Sequence, residues 1–144
     1  MGENSEIFIA GASDRIIGVQ RVLKDFDMSV FSGSEIALKA NYNSADPPPA
    51  STHIDVLDAL CSAILAEKPK KLTLAERSGM GNTRDVLETR GVIALAEDRG
   101  FSTVVLDELE RTGWREIQAP VLHWSRGFFL ASVVAQADRV IQTC

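Results

Sequence analysis

The sequence is poor in cysteine, histidine and aromatic residues, and it has no long apolar run. Its two cysteines, Cys61 and Cys144, are too few for a disulfide scaffold and lack the spacing of a metal site. The longest apolar stretch, residues 127–135, is far shorter than the roughly 20 residues that span a bilayer. Residues 1–6 carry two acids and no base, unlike a secretory signal. These absences predict a cytoplasmic chain with no membrane partner.

Basic residues are outnumbered by acidic ones, 15 against 20, and the net charge is −5. Proteins that bind nucleic acid neutralise phosphates with clustered lysine and arginine. Here Arg111, Arg115 and Arg126 are spread between acids and form no basic stripe, so we expect no nucleic-acid partner. With 144 residues, of which 45% are hydrophobic, the chain is long enough to bury a core without a disulfide or structural metal.

The apolar pattern alternates between strand and helix. Ile16, Val19, Leu23 and Phe26 follow at helical spacing, for example, after a short β-rich run. The predicted helices are 13–26 (capped by Ser13 or Asp14), 52–68 (opened by Thr52 with Asp55 as a capping box), 83–99 (broken at Gly91 and capped by Gly100) and 128–137. The predicted strands are 6–10, 35–40, 71–76, 102–106, 139–143 and a short one at 114–117.

Alternation of this kind predicts an α/β fold, with a mostly parallel open sheet, helices on both faces and Rossmann-like layering. Residues 41–51 contain three consecutive prolines and form a loop, and Pro120 breaks an irregular stretch. We expect residues 1–144 to form a single domain.

Polar residues follow most of the predicted strands. They fall in the segments 11–14, 39–41, 76–79 and 107–108. The carboxyl ends of parallel strands meet at one edge of the sheet, where ligands of such folds bind. The sequence therefore predicts one polar site at this edge, although Ser13 and Asp14 are equally explained as helix caps.

Lys39 and Glu76 each end an otherwise apolar strand. A lysine there can bind phosphate or carboxylate, or it can extend from an edge position into solvent. The glutamate can act as a general base or metal ligand, or pair with a neighbouring basic residue. The sequence leaves these alternatives open.

The segment Gly79-Met80-Gly81-Asn82-Thr83-Arg84 begins like the glycine-rich dinucleotide motif, and it follows a strand and opens a helix. Asp107 closes the next strand, where a ribose-binding acid is found in such proteins. Arg84, however, replaces the third glycine. A nucleotide- or dinucleotide-binding module using Gly79 and Gly81 is one alternative function, and an ordinary glycine-rich turn is the other interpretation.

The remaining candidates are explained more simply by packing or exposure. His53 is expected on the surface, His123 beside Trp124 in a packed region, and Cys61 on the apolar face of its helix. The aromatic residues between 114 and 129 suggest a further alternative, a non-catalytic protein-interaction domain; they are Trp114, Trp124, Phe128 and Phe129.

Four segments resemble, in order, the family of domain of unknown function 362. Ile36–Asn41 is similar to its apolar strand ending in Lys-Pro-Asn, with Ala40 in place of the proline. Thr52–Leu57 resembles its helix start, Leu72–Gly79 its strand and acidic or glycine loop, and Ala137–Ile141 its Ala-Asp-x-Val-Ile strand. The resemblance covers most of the chain after the first helix.

The resemblance implies a site formed by particular residues and a redox setting. Its family-based candidates are Lys39, Asn41, Thr52, Glu76, Ser78 and Gly79. Members are often joined to ferredoxin-like iron–sulfur modules, but this chain lacks a four-cysteine motif, so we expect no iron–sulfur cluster within it. The family pattern continues past residue 144, which predicts a fragment of a longer protein, or an oligomer. The expected function is binding of a small anionic or metal-bound ligand in an enzyme or redox-associated protein; the sequence identifies neither reaction nor cofactor.

Overall fold

The computed structural model describes residues 6–118 and 123–143 of the chain. Its helices are α1 (Arg15–Leu23), α2 (Ile54–Ala66), α3 (Thr83–Thr89), α4 (Val92–Arg99) and the one-turn α5 (Ser132–Ala135). Its strands are β1 (Glu35–Lys39), β2 (Lys71–Glu76), β3 (Ser102–Val105), β4 (Trp114–Ile117), β5 (Phe128–Ala131) and β6 (Arg139–Gln142).

The main sheet has four parallel strands in the order β3-β2-β1-β6. Ile36 lies beside Leu72 and Leu38 beside Leu74 in the β1–β2 pair, so their apolar side chains share one face. A separate antiparallel pair joins β4 to β5. The predicted α/β fold with a mostly parallel sheet and helices on both faces is confirmed.

The core lies between the sheet and helices α2, α3 and α4. Leu57, Cys61 and Ile64 are one fully buried stripe of α2, and they belong to the same cluster as Leu38 and Leu74. The opposite face of the sheet carries small buried residues and is contacted by α5. The central strands are therefore covered on both sides, as their continuous apolar runs require.

Several local predictions are confirmed because the side chains involved have local partners. The Asp14 carboxylate caps α1 by accepting the Ile17 amide at 2.9 Å. Gly91 and Gly100 adopt left-handed backbone conformations, with φ values of 74° and 77°. Gly91 separates α3 from α4 and Gly100 ends α4, as predicted for residues 83–99.

The predicted strand at residues 6–10 is not formed in this conformation of the chain. The segment is not hydrogen-bonded into the sheet, and Ile7 and Ile9 are 84% and 90% exposed. A strand requires a neighbour to pair with, and β-rich composition alone does not supply one. Among residues 6–118 and 123–143, the sheet therefore ends at β6.

The predicted buried helix at residues 128–137 is also wrong. Phe128–Ala131 pairs with Trp114–Ile117 as β5, and only Ser132–Ala135 is helical. A short apolar run fits a buried helix and a strand equally well, and here a partner strand decides between them. Trp114–Ile117 itself is confirmed as a strand, and Pro120 lies outside the described residues.

The start of α2 differs from the prediction. His53, and not Thr52, is the N-cap, because the His53 Nδ1 atom accepts the Asp55 amide at 3.2 Å. Thr52 is instead buried, with its hydroxyl directed toward the ends of two strands.

Candidate functional site

The direction of the strand order reverses between β1 and β6. From β1 the chain proceeds through β2 to β3 on one side, and β6 then adds to the other side of β1. In open parallel sheets such a switch point leaves a crevice at the carboxyl ends of the two strands, and ligands bind there. Lys39 ends β1 and Thr143 follows β6 at this edge.

Lys39 and Glu76 form an ion pair across the ends of β1 and β2. The lysine Nζ lies 2.6 Å from Glu76 Oε1 and donates to the Ala40 carbonyl, also at 2.6 Å. The glutamate side chain is completely buried, whereas that of the lysine is 42% exposed. The pair thus presents its cation to solvent and retains its carboxylate inside.

Burial raises the pKa of the Glu76 carboxyl above its usual value. Hydrogen bonds from Lys39 and from the Arg77 amide favour the ionised form and offset only part of that effect. Of the two interpretations of Glu76, the structure confirms pairing with a basic residue, and the partner is Lys39.

A second group of polar residues joins the prolyl loop to the β1–β6 crevice. The Thr52 hydroxyl accepts the Asn41 amide at 2.9 Å and lies 3.1 Å from the Thr143 hydroxyl. The Thr52 amide donates in turn to the Asn41 carbonyl, and the Thr143 amide to that of Lys39. Asn41 and Thr52 therefore hold the crevice wall in place.

The loop after β2 is fixed by a chain of buried hydrogen bonds. The Ser78 amide donates to the Thr83 hydroxyl at 2.9 Å, and that hydroxyl donates to Asp107 at 2.5 Å. The Thr83 hydroxyl and the Arg77 guanidinium hold the pKa of Asp107 below its usual value. The Ser78 hydroxyl also donates to the Tyr42 carbonyl at 2.7 Å. Asp107 is thus hydrogen-bonded to the loop after β2 at the carboxyl edge.

The glycine-rich segment packs directly against Asn43. The Gly79 amide lies 3.0 Å from the Asn43 side-chain oxygen, and the Met80 amide donates to the Asn43 carbonyl, also at 3.0 Å. A Cβ at Gly79 would lie 2.2 Å from the same side-chain oxygen. Gly81 has a positive φ of 83°. Two amides that a pyrophosphate would need are therefore engaged within the chain.

Three buried polar atoms have no hydrogen-bond partner among the described residues. They are the Tyr42 hydroxyl, Glu76 Oε2 and Arg90 Nε. Burial raises the pKa of Tyr42 to about 12, and the charges of Arg90 and Glu76 also act on this phenol. The three groups form one polar cluster beneath the carboxyl edge.

A cavity of about 320 Å³ opens at the same edge, beside the N-terminus of α2. It is lined by Arg15, Pro48, Pro49, Ser51, Thr52, His53 and Val56. The N-terminus of a helix carries partial positive charge and amide donors, and Arg15 adds a full charge. The cavity has the size and the polarity of a small-ligand pocket.

Sequence reasoning placed Lys39, Asn41, Thr52 and Glu76 at this edge, and the structure brings them to the two adjoining strand ends. Ser78, Gly79 and Gly81 lie in the neighbouring loop and serve its internal packing. Sequence reasoning missed the site residues that only the fold brings together: Arg15, Tyr42, Asn43, Thr143 and, as part of the cavity wall, His53. Of these, only Thr143 had a signal in the sequence, its polar side chain at the end of the last strand.

The described residues contain neither a metal-binding cluster of side chains nor a membrane-spanning helix. No group of three or more histidine, cysteine, aspartate or glutamate side chains comes together there in metal-binding geometry. No helix within residues 6–118 and 123–143 has the length and apolar character needed to cross a membrane.

The fold and edge define an α/β domain with a parallel sheet and a polar crevice at its strand ends. Residues 36–144, more than half of the chain, match the family described as Domain of unknown function (DUF362). The chain belongs to this family. No curated protein and no solved structure matches it.

Proposed function

We propose that the domain binds a small anionic ligand at the β1–β6 crevice. The cavity beside α2 carries this proposal, because its wall includes Thr52, whose hydroxyl lies 3.1 Å from that of Thr143 after β6, and because a guanidinium, a histidine and a helix N-terminus line it. Its volume of about 320 Å³ suits a phosphate- or carboxylate-bearing metabolite better than a whole dinucleotide.

The charges around the cavity favour an anion. Arg15 provides a planar fork that matches carboxylate or phosphate oxygens. Asp55 lies 3.5 Å from His53 Nδ1 and partly neutralises that side of the opening. The ligand is therefore held from the Arg15 side, where the α2 N-terminus contributes favourably.

Lys39 provides a second cation at the same edge. The buried Glu76 carboxylate fixes the position of the ammonium, and the exposed part of the lysine remains open to a ligand. Burial raises the pKa of Glu76, while Lys39 and the Arg77 amide favour its ionised form, so the glutamate acts on a ligand only through the ammonium that it holds in place.

The resemblance in sequence motifs to proteins joined to iron–sulfur modules supports placing this domain in an enzyme or redox-associated protein. In that setting the domain holds the substrate or a metal-bound ligand, and the electron-transfer group belongs to another part of the assembly. The Lys39–Glu76 pair supports this role, since perturbed ionisable groups are concentrated at functional sites.

Calorimetric titration with inorganic phosphate and with citrate tests the proposal. We expect measurable binding of at least one, weakened about tenfold or more by Arg15→Gln and by Lys39→Gln, because each removes a charge-assisted contact. Lys71→Gln is the matched control, since Lys71 begins β2 at the opposite edge. No heat with either anion, or equal losses in all three variants, would overturn the proposal. Heat with NAD, NADP or FAD would favour the dinucleotide module instead.

A protein-interaction surface on the β4–β5 hairpin is a second candidate function. Trp124 and Phe129 are 58% and 47% exposed, and Arg111 stacks over the Phe129 ring at 4.6 Å. Exposed aromatic residues beside an arginine are typical of binding surfaces. Light scattering during size-exclusion chromatography, with Trp124→Ser as the variant, tests whether this surface mediates self-association: a monomer unaffected by the change would count against that role.

A further inference from the structure

The β6 edge of the sheet is open and lies beside an apolar groove. The groove, about 560 Å³, is lined by Leu23, Phe26, Val30, Phe31 and Leu60 together with the residues of β6. Val140 is 55% exposed on this strand. An edge strand offers unpaired amide and carbonyl groups to any extended segment that reaches it.

An extended apolar segment of the same chain lies close to this groove. Glu6 and Phe8 line a depression together with Phe26 and Val30, and the latter two also form a wall of the groove. Ile7 and Ile9 face solvent on either side of Phe8. Among the described residues, a strand edge without a partner thus lies close to a β-rich segment without one, since Phe26 and Val30 border both.

We infer that Glu6–Ala10 is a strap that closes onto β6 as a fifth parallel strand of the sheet. In this arrangement Glu6 lies beside Arg139, which makes the charges complementary. Ile7 lies beside the exposed Val140. Phe8 shares the helix-side face of Ile141, a residue that already packs against the core, and so enters the groove.

The connection that this arrangement requires is already present. Helix α1 packs beside α2 on the same face of the sheet. The path from the strap through α1 to β1 therefore has the same hand as the path from β1 through α2 to β2, as parallel crossovers require. Arg15, the first residue of α1, lies at the carboxyl edge, where the strap would end.

Closure of the strap extends the candidate site. Residues 11–14 then lie at the carboxyl end of the new strand, next to Thr143. They would border the β1–β6 crevice from the side that is open in this structure. The strap itself is inferred from packing and topology, independently of whether the crevice binds an anion.

Amide hydrogen exchange of the full chain, read residue by residue, tests the inference. We expect amides of both Glu6–Ala10 and β6 to exchange about tenfold or more slowly than in an unstructured chain. Phe8→Asp should remove this protection from both segments together. Ile16→Asp, which changes an exposed apolar residue of α1, is the control and should leave both segments protected.

A charge exchange provides a variant that leaves the apolar side chains of the groove unchanged. Glu6→Arg and Arg139→Glu should each reduce protection of the strap, and the double variant should restore it. Unstructured exchange rates at Glu6–Ala10 in the unmodified chain would overturn the inference, as would failure of the double variant to restore protection. A dimer that Phe8→Asp dissociates would also overturn it, by assigning the occupant of the groove to a second copy of the chain.

Discussion

Replacing Lys39 by methionine should destabilise the protein in a strongly pH-dependent way. The change keeps an unbranched side chain but leaves the Glu76 carboxylate buried without its cation. Removing one partner of a fully buried pair costs about 3–5 kcal/mol. Because the Lys39 side chain is 42% exposed, water screens the pair, and we expect a loss of about 1–3 kcal/mol at pH 8.

The pH dependence follows from the raised pKa of Glu76. The folded protein binds the proton of the Glu76 carboxyl more tightly than the unfolded chain does, since the pKa of this group in the unfolded chain is about 4.5. Protonated Glu76 therefore contributes fully to stability when the pH is below the pKa of the unfolded chain. This contribution is lost as the pH rises through the pKa that Glu76 has in the folded protein. Without Lys39 the folded pKa rises further, so the cost of the substitution grows with pH.

Urea unfolding at several pH values between 5 and 8 measures this difference. Lys70→Met is the matched control, because Lys70 pairs with Glu35 at 2.6 Å but both side chains are well exposed, and we expect a much smaller loss that does not grow with pH. Adding Glu76→Gln to Lys39→Met should remove the pH dependence. An equal loss at pH 5 and pH 8 in the single variant would refute the reasoning.

Two substitutions and one reactivity measurement test the packing of the domain. Thr83→Val should cost about 1–3 kcal/mol in urea unfolding, since it leaves the Ser78 amide buried without its acceptor. Gly79→Ala should cost about 0.5–1.5 kcal/mol, because the new methyl group collides with the exposed Asn43 side chain and displaces it from the Gly79 amide. Cys61 should resist a thiol reagent at pH 8 until the protein unfolds, because it is fully buried and burial raises its pKa to about 12.

Each of these changes has a control in the same chain. Thr83→Ser keeps the hydroxyl and should lose less than Thr83→Val; a Thr83→Val variant as stable as the unmodified chain would contradict the role of the hydroxyl. Gly11→Ala meets no atom within 4 Å, so a cost matching that of Gly79→Ala would argue against the collision. The thiol experiment uses a Cys144→Ser background, and rapid reaction of the folded protein would contradict the burial of Cys61.

The order of the buried elements could be predicted from the sequence because each carries its own periodic signal. Lys71–Glu76 is bounded by Pro69 and a glycine-rich loop, and it forms the predicted strand. The two elements that were predicted wrongly lie where the hydrophobic periodicity gives no signal. The apolar run at residues 128–131 fits a helix and a strand equally well. Whether residues 6–10 form a strand depends on a neighbouring strand that the local sequence does not specify.

The candidate site shows the same division. Lys39 and Glu76 were predicted separately, each from its place at the end of an apolar strand, but nothing local indicated that they pair with each other. Their contact depends on the parallel register of β1 and β2. Thr52 and Thr143 are 91 residues apart in sequence, and they meet only because the crossover brings β6 beside β1.

The most direct test of the central claim is a nuclear magnetic resonance titration of the labelled protein with inorganic phosphate. Our account predicts saturable shifts at the carboxyl edge, in the amides of Lys39, Thr52, His53 and Thr143. The amino edge, represented by Lys71 and Asp138, should remain unchanged. Shifts confined to the amino edge, or spread evenly over the surface without saturation, would contradict a ligand site at the β1–β6 crevice.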